Sequence, residues 1–191
     1  MENYYSEMQF SSSEIKPCRD AINRVSRINI MKKIFFIAVL LLAGCEQSDI
    51  QMKTVDARAL HKQFAKHKGK EAVMVNFWAT TCSPCLKEFP MVMDLGEAYA
   101  DKGLKVYFVT TDWWDYRDKA LTFLESKKFK GLTFMKEEGN DNNFIRAISD
   151  DWSGALPFTI VYDKNGNVTD TWEMEQDRAF FEAAIIKAIS K

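Results

Sequence analysis

Two almost uninterrupted apolar runs identify the centre of the predicted fold. AVMVNFW (72–78) and LKVYFVTT (104–111) are too short for typical helices and are rich in residues that favour strands. Runs of this kind are typical of central strands that are covered on both faces of a sheet. We therefore predict two buried strands here.

Apolar residues spaced three and four positions apart predict helices around these strands. A first helix is capped by Asp56 and ends at HKGK (67–70), a second runs from Cys82 to about Ala100, and a third lies within DYRDKALTFLESKK (115–128). A helix between two strands implies that the strands are parallel and joined by a right-handed crossover.

The last third of the chain changes character. LTFMK (132–136) predicts a short strand and DNNFIRAI (141–148) a short helix. PFTIVYDKNGNVTDTWE (157–173) alternates around Asn165-Gly166, the dipeptide typical of tight hairpins. Asp177 then caps a final helix. The predicted fold class is α/β, with a central mixed β-sheet flanked by helices.

The segment MKKIFFIAVLLLAGCEQSD (31–49) predicts an export signal, because two lysines precede an apolar run and small residues follow it. The run (34–43) is half the length of about 20 residues that a membrane-spanning helix needs. A buried core helix is the alternative. LAGC (42–45) resembles the lipobox of bacterial lipoproteins, which implies that Cys45 carries lipid and becomes the mature N-terminus.

These interpretations divide the chain into four segments. Residues 1–30 precede a complete signal and are interpreted as a mis-assigned start or an unstructured extension, the alternative being an unusually long charged region of the signal. Residues 31–44 are the signal peptide, 45–54 the lipidated cysteine and a polar tether, and 55–191 one folded domain.

Composition gives no indication of nucleic-acid binding and leaves one pair of cysteines as the candidate reactive groups. The formal net charge of -1 offers no excess of positive charge for nucleic acid. Of the four cysteines, Cys18 and Cys45 precede the predicted domain, so Cys82 and Cys85 are the only unmodified cysteines of the mature chain. In an oxidising compartment these two are expected to pair with each other.

The motif CSPC (82–85) lies between a predicted strand and a predicted helix. At a helix N-terminus the pKa of a thiol falls from about 8.5 into a range of about 3.5–7.5, so Cys82 is the predicted nucleophile. Cys85 lies one turn further along the same face and is the predicted resolving thiol. Ser83 and Pro84 restrain the turn between them.

Two cysteines can also bind a metal ion or form a purely structural disulfide. A structural zinc site needs four ligands, and the mature chain offers only His61 and His67 in addition. Cu(I) needs only two thiolates, so a copper carrier stays open. A structural disulfide over so short a loop stabilises little. We predict neither a metal nor a cofactor in the site.

Two segments carry a family resemblance. VNFWATTCSPCLKEFP (75–90) and GALPFTIVYDKNGNV (154–168) resemble the TlpA/ResA-like thiol-disulfide oxidoreductases of the thioredoxin superfamily, and the likeness extends over residues 71–191. The resemblance implies a thioredoxin-like fold. It does not extend to peroxiredoxins, whose proline and threonine positions are occupied here by Val75 and Ala79.

The resemblance assigns roles to further residues. It implies that Pro157 is cis and lies against the cysteines, and that the backbone of Leu156 pairs with a substrate peptide. It implies that Glu88 is an acid or base that tunes the cysteine pair, the alternative being a solvated glutamate on the helix surface. Asn76 replaces the strand aspartate of thioredoxins and cannot relay a proton, which favours Glu88.

The sequence differs from the family pattern in two places, and both differences bear on which partner protein it binds. Thr81 precedes Cys82 where the family usually has tryptophan. Trp113 and Trp114 follow the second strand, where they form either a docking patch for an apolar partner or part of the core. The residues expected to line the substrate surface are Trp78, Thr81, Ser83, Pro84, Leu156, Trp113 and Trp114.

The function expected from these features is thiol-disulfide exchange. The resemblance favours a reductase that takes electrons from a membrane dithiol donor and passes them to protein disulfides, in cytochrome c maturation or the rescue of oxidised thiols. The expected location is the bacterial envelope, lipid-anchored, facing the periplasm or the outside; Glu46 favours the outer membrane. The alternative class is a Cu(I)-carrying or redox-silent binding module.

Overall fold

The computed structural model describes residues 49–191. The predicted export signal, the predicted lipidation site Cys45 and residues 1–30 lie outside this range. Within the described residues, no helix has both the length and the apolar character needed to cross a membrane.

A six-stranded mixed sheet forms the centre of the domain, in the order β1-β4-β3-β2-β5-β6. Strands β1 to β4 run parallel to one another, whereas β5 is antiparallel to both β2 and β6. This arrangement confirms the predicted α/β class. The strands are β1 (Ile50–Val55), β2 (Ala72–Trp78), β3 (Leu104–Thr110), β4 (Gly131–Lys136), β5 (Phe158–Tyr162) and β6 (Val168–Glu173).

Helices pack on both faces of the sheet. Four of them begin at a residue whose side chain accepts a hydrogen bond from the first turn, namely Asp56, Cys82, Asn140 and Asp177. The α-helices of the described part are α1 (Ala57–Phe64), α2 (Ser83–Ala100), α3 (Arg117–Ser126), α4 (Asp141–Ile148) and α5 (Arg178–Ile189).

The boundary of the domain differs from the prediction. Residues 50–54, predicted to belong to the polar tether, form most of β1, which pairs with β4 from Ile50 and Gly131 to Val55 and Lys136. This strand lies at the edge of the sheet and alternates between half-buried and exposed residues. It has no continuous apolar run, and the strand that pairs with it lies far along the chain.

The central strands behave as predicted. Every residue of β2 is buried, and β2 pairs in parallel with β3. One hydrophobic cluster covers the face of the sheet that carries α2 and α5 and includes Cys85, and a second covers the face that carries α1. Leu156 packs against both clusters, so it connects the two faces beside the cysteine pair.

Candidate active site

Cys82 and Cys85 form a disulfide at the start of α2, with an S–S distance of 2.00 Å. Cys82 is the N-cap of the helix, and its Sγ accepts a hydrogen bond from the backbone N–H of Cys85 at 3.3 Å. Cys85 is fully buried, whereas Cys82 is only partly buried. The predicted position of Cys82 at a helix N-terminus is confirmed, and Cys82 is the sulfur that a partner reaches more easily.

Backbone hydrogen bonds hold Cys82 between β2 and α2. The N–H of Cys82 donates to the carbonyl of Ala79 at 3.1 Å, and the N–H of Leu86 donates to the carbonyl of Cys82 at 3.1 Å. Ser83 and Pro84 occupy the first positions of the helix, where proline loses no hydrogen bond. The motif is therefore a turn that passes directly into the helix.

Glu88 points into the protein. Its residue surface is only 3% exposed, and its Oε1 accepts a hydrogen bond at 2.8 Å from Asn76 Nδ2, which also donates to Thr159 Oγ1. Its Oε2 has no hydrogen-bond partner of normal geometry within residues 49–191. The alternative of a solvated surface glutamate is therefore wrong.

Burial changes the acidity of this carboxyl. Loss of hydration raises the pKa of Glu88 from 4.5 to about 7, and the nearby negative charge of Glu175 adds to this. The hydrogen bond from Asn76 and the backbone of Gln176 act in the opposite direction and are weaker. Glu88 can therefore both accept and donate a proton near neutral pH.

Pro157 directly precedes β5, the strand that lies beside β2. The Leu156-Pro157 peptide bond is cis, and Phe158 pairs with Phe77, so Pro157 lies next to the end of β2 that leads to the cysteines. Leu156 and Cys82 both pack on the cluster that contains Cys85. The structure thus brings Cys82, Cys85, Leu156 and Pro157 to one end of the sheet.

The loop before Pro157 is held by side chains that sequence reasoning missed. The indole Nε1 of Trp152 donates to the carbonyl of Ala155 at 2.9 Å. The carboxylate of Glu173 accepts hydrogen bonds from the N–H and the hydroxyl of Ser153. No local pattern marks these contacts, because each of them depends on how the loop is folded.

The tryptophans predicted to touch a substrate fall into two groups. Trp78 is fully buried, and its ring packs 5.1 Å from those of Phe89 and Phe123. The prediction that Trp78 lines the substrate surface is therefore wrong, because its side chain packs in the core. Trp113 and Trp114 are 64% and 52% exposed, so the core alternative is wrong for both. Thr81, directly before Cys82, is also exposed.

Asp112 is a further residue that the sequence analysis missed. It is buried, and its carboxylate accepts hydrogen bonds from the N–H and the hydroxyl of Thr80, and from the hydroxyl of Thr110 at 2.6 Å. Asp112 therefore ties the end of β3 to the segment that enters Cys82. The only sign of it in the sequence was its position directly after the predicted buried strand 104–111, since ligand sites in such sheets lie at the carboxyl ends of the strands.

Within residues 49–191, no cluster of three or more His, Cys, Asp or Glu side chains could hold a metal ion. The two histidines are engaged elsewhere. His61 contacts the carbonyl of Ala147, and His67 lies between Glu71 and Tyr107 with nitrogen–oxygen distances of 2.6 and 2.7 Å. After reduction of the disulfide, the thiols of Cys82 and Cys85 could bind a two-coordinate metal such as Cu(I).

Comparison with known proteins agrees with this geometry. The Redoxin family matches residues 45–185. The thiol-disulfide oxidoreductase ResA of Oceanobacillus iheyensis is 38% identical over 133 residues, which cover 69% of this chain and 54% of the relative. The ResA protein of Geobacillus kaustophilus is 28% identical over 113 residues, which cover 59% of this chain. The chain thus spans 54% and 60% of the lengths of these two relatives.

Solved structures show the same fold. The crystal structure of a thiol:disulfide interchange protein of the thioredoxin family from Chlorobium tepidum superposes with a TM-score of 0.54 at 24% identity, over 65% of this chain and 83% of that one. This likeness establishes the thioredoxin-like fold. Together with the match over residues 45–185, which include the cysteine pair and the cis-proline, it places this chain in the Redoxin family.

Proposed function

We propose that the protein exchanges thiols and disulfides with partner proteins through Cys82 and Cys85. The observation that carries the proposal is the disulfide at the start of α2, with one partly buried and one fully buried sulfur. A helix N-terminus stabilises a thiolate, and the accessible sulfur is the one at the cap. The names of the ResA relatives point to the same activity.

The reduction of a partner proceeds in two exchange steps. The thiolate of Cys82 attacks one sulfur of the partner disulfide, that S–S bond breaks, and the other partner sulfur leaves and takes up a proton. Cys85 then loses its proton, attacks Cys82 Sγ and releases the second partner sulfur as a thiol. Two electrons pass to the partner, and the Cys82-Cys85 disulfide forms.

Three groups assist these steps. Glu88 is proposed to hold the proton that Cys85 gives up, because it follows Cys85 by three positions on the same helix. The backbone of Leu156 is proposed to pair with the substrate beside Pro157. Trp113 and Trp114 offer exposed apolar surface to the same partner, from a segment that Asp112 ties to the active-site loop.

We also propose a direction of electron flow. We place the protein as a reductase that receives electrons from a membrane dithiol donor. Cytochrome c maturation and the rescue of oxidised thiols are the processes that fit such a reductase. The support is the resemblance to ResA-like proteins.

Equilibration with graded glutathione buffers tests the exchange activity. Because the two sulfurs form one disulfide, Cys82 and Cys85 should convert together with a two-electron midpoint, in which a tenfold change in the equilibrium constant corresponds to about 30 mV. Alkylation of the free thiols followed by mass spectrometry measures the conversion. Retention of Cu(I) by the reduced protein without such a midpoint would favour the binding module instead.

The lipid anchor is proposed from Cys45 and its surroundings. Two or more acyl chains are needed for stable membrane attachment, since each buried methylene contributes about 0.8 kcal/mol. In a bacterial host, the full-length protein should enter the detergent phase in Triton X-114 partitioning, and Cys45→Ser should move it to the aqueous phase. Cys18→Ala is the matched control and should not change partitioning. Equal partitioning of the wild type and Cys45→Ser contradicts the anchor.

A further inference from the structure

A small cavity lies at the same end of the sheet as the cysteines, and the loop that precedes Pro157 forms part of its wall. It has a volume of about 110 Å³. Its walls come from the ends of β3 and β4, from α4 and from that loop. The residues that matter here are Thr111, Lys136, Phe144, Ile145, Trp152 and Gly154.

The cavity adjoins the proposed substrate path. Gly154 lies two residues before Leu156, and Trp152, whose indole holds Ala155, forms another wall. An extended chain advances about 3.3 Å per residue, and residues two apart point to the same side. Since Gly154 is only two residues from Leu156, an extended substrate chain that pairs with Leu156 can reach this cavity with a side chain within about three residues of the paired position.

Lys136 is a buried charged residue among those that line the cavity. Its side chain is only 5% exposed, and its Nζ lies 2.7 Å from Asp141 Oδ1 and donates to the carbonyl of Glu137 at 3.1 Å. An ammonium group has three N–H donors. Within residues 49–191, the ion pair and this hydrogen bond use two of them, and the centroid of the Phe144 ring lies 6.0 Å from Nζ, so the third N–H is available to a group in the cavity.

The charge of Lys136 is already balanced by Asp141, whose side chain is 51% exposed. A second carboxylate would lie beside the carboxylate of Asp141, which also lines the cavity, and would add an uncompensated negative charge there, which is unfavourable. A neutral hydrogen-bond acceptor satisfies the third N–H without changing the net charge. This favours an amide over a carboxylate as the group that Lys136 binds.

The size and shape of the cavity limit the occupant. A volume of about 110 Å³ holds one side chain, since a water molecule in the liquid takes about 30 Å³. The rings of Phe144 and Trp152 and the end of Ile145 suit a methylene stem. Gly154 keeps the space open: its φ is +99°, and a Cβ there would lie 3.0 Å from Ile145 Cδ1.

We propose that this cavity is a specificity pocket that receives a glutamine side chain of the substrate protein, with the stem against Phe144 and Trp152 and the amide oxygen on Lys136. The proposal rests on the proposed exchange function and adds a preference for the sequence around the substrate cysteine.

Reduction of short peptide disulfides tests the pocket. Each peptide carries one cysteine linked to 5-thio-2-nitrobenzoate, with Gln, Glu, Leu or Ala placed at each position up to three residues from the cysteine. The second-order rate constant with the reduced protein is measured from release of the coloured thiol. At one position, Gln should be about tenfold faster than Leu, the scale of a hydrogen bond to a charged donor.

Two variants separate the roles of the ion pair. In Lys136→Met the stem is kept but the donor is lost, so the preference for Gln over Leu should disappear. In Asp141→Asn the charge of Lys136 is no longer balanced, so the preferred residue should change from Gln to Glu. The peptides with Ala are the control and should react within about twofold in all three proteins, since an empty pocket makes no such bond.

The outcomes distinguish this inference from the proposed function. Equal rates for Gln and Leu in the wild type, or an unchanged preference in Lys136→Met, overturn the pocket while the exchange activity stands. If no peptide is reduced, the exchange function fails, and binding is measured by calorimetry with serine replacing the peptide cysteine. Tighter binding of the Gln peptide, lost in Lys136→Met, supports the pocket; equal affinities overturn it.

Discussion

The Cys85→Ser protein is expected to accumulate a mixed disulfide between Cys82 and its partner and to lose turnover. Cys82 keeps its place at the helix cap and still attacks, but no second thiol is present to release the partner. Turnover of a protein disulfide should therefore fall to the uncatalysed rate. Non-reducing electrophoresis followed by mass spectrometry of the adduct identifies the sulfur that is joined to the partner.

The reciprocal variant provides the control. Cys82→Ser leaves only the buried Cys85, which a partner cannot reach without movement of α2. This variant should lose turnover as well, but without an adduct. An adduct in Cys82→Ser and none in Cys85→Ser would reverse the assigned roles of the two cysteines.

Glu88→Gln is expected to remove a large part of the pH dependence of stability. Raising a carboxyl pKa from 4.5 to about 7 on folding means that, between these values, the unfolded state has lost its proton while the folded state keeps it. The contribution of Glu88 to stability is then fully present below pH 4.5 and is lost as the pH rises to about 7. The full loss is about 3 kcal/mol.

Urea unfolding of the oxidised protein at pH 4.5 and pH 8 measures this effect. The decrease in unfolding free energy between the two pH values should be about 3 kcal/mol larger in the wild type than in Glu88→Gln. Glu97→Gln, an exposed position on the same helix, is the matched control and should behave like the wild type. A wild-type decrease no larger than that of Glu88→Gln contradicts the burial argument.

The same variant tests the proposed role of Glu88 in exchange. A group with a pKa of about 7 is half ionised near neutral pH, so the exchange rate of the wild type should change slope there. Glu88→Gln should lose this inflection and keep the rise that reflects ionisation of Cys82. A role in packing alone would leave the shape of the pH profile unchanged.

Parts of the site followed from local patterns. The buried run 72–78 identified β2, and CSPC after it placed Cys82 at the start of α2. Asn165-Gly166 marked the turn between β5 and β6, where Gly166 has a φ of +80°. These features depend on hydrophobic spacing, helix capping and turn geometry, which neighbouring residues set.

Other parts had no local pattern. Residues 50–54 looked like part of a tether, because they contain no continuous apolar run. They form most of an edge strand only because residues 131–135, far along the chain, pair with them. Trp78 seemed available to a substrate because it is near the cysteines, yet its ring faces the core. In both cases the outcome depended on elements that are distant in sequence.

By itself, the sequence determined the α/β fold class, the location of the cysteine pair between a strand and a helix, and the hairpin after Pro157. The tertiary structure decided that Glu88 is buried against Asn76, that Asp112 holds the loop before Cys82, and that Lys136 lines a cavity at the same end of the sheet as the cysteines. The contacts of Asn76 with Glu88 and Thr159 join residues 12 and 83 positions apart, and that of Thr80 with Asp112 joins residues 32 apart. Burial and hydrogen bonding of this kind arise only when the sheet brings its strands and loops together.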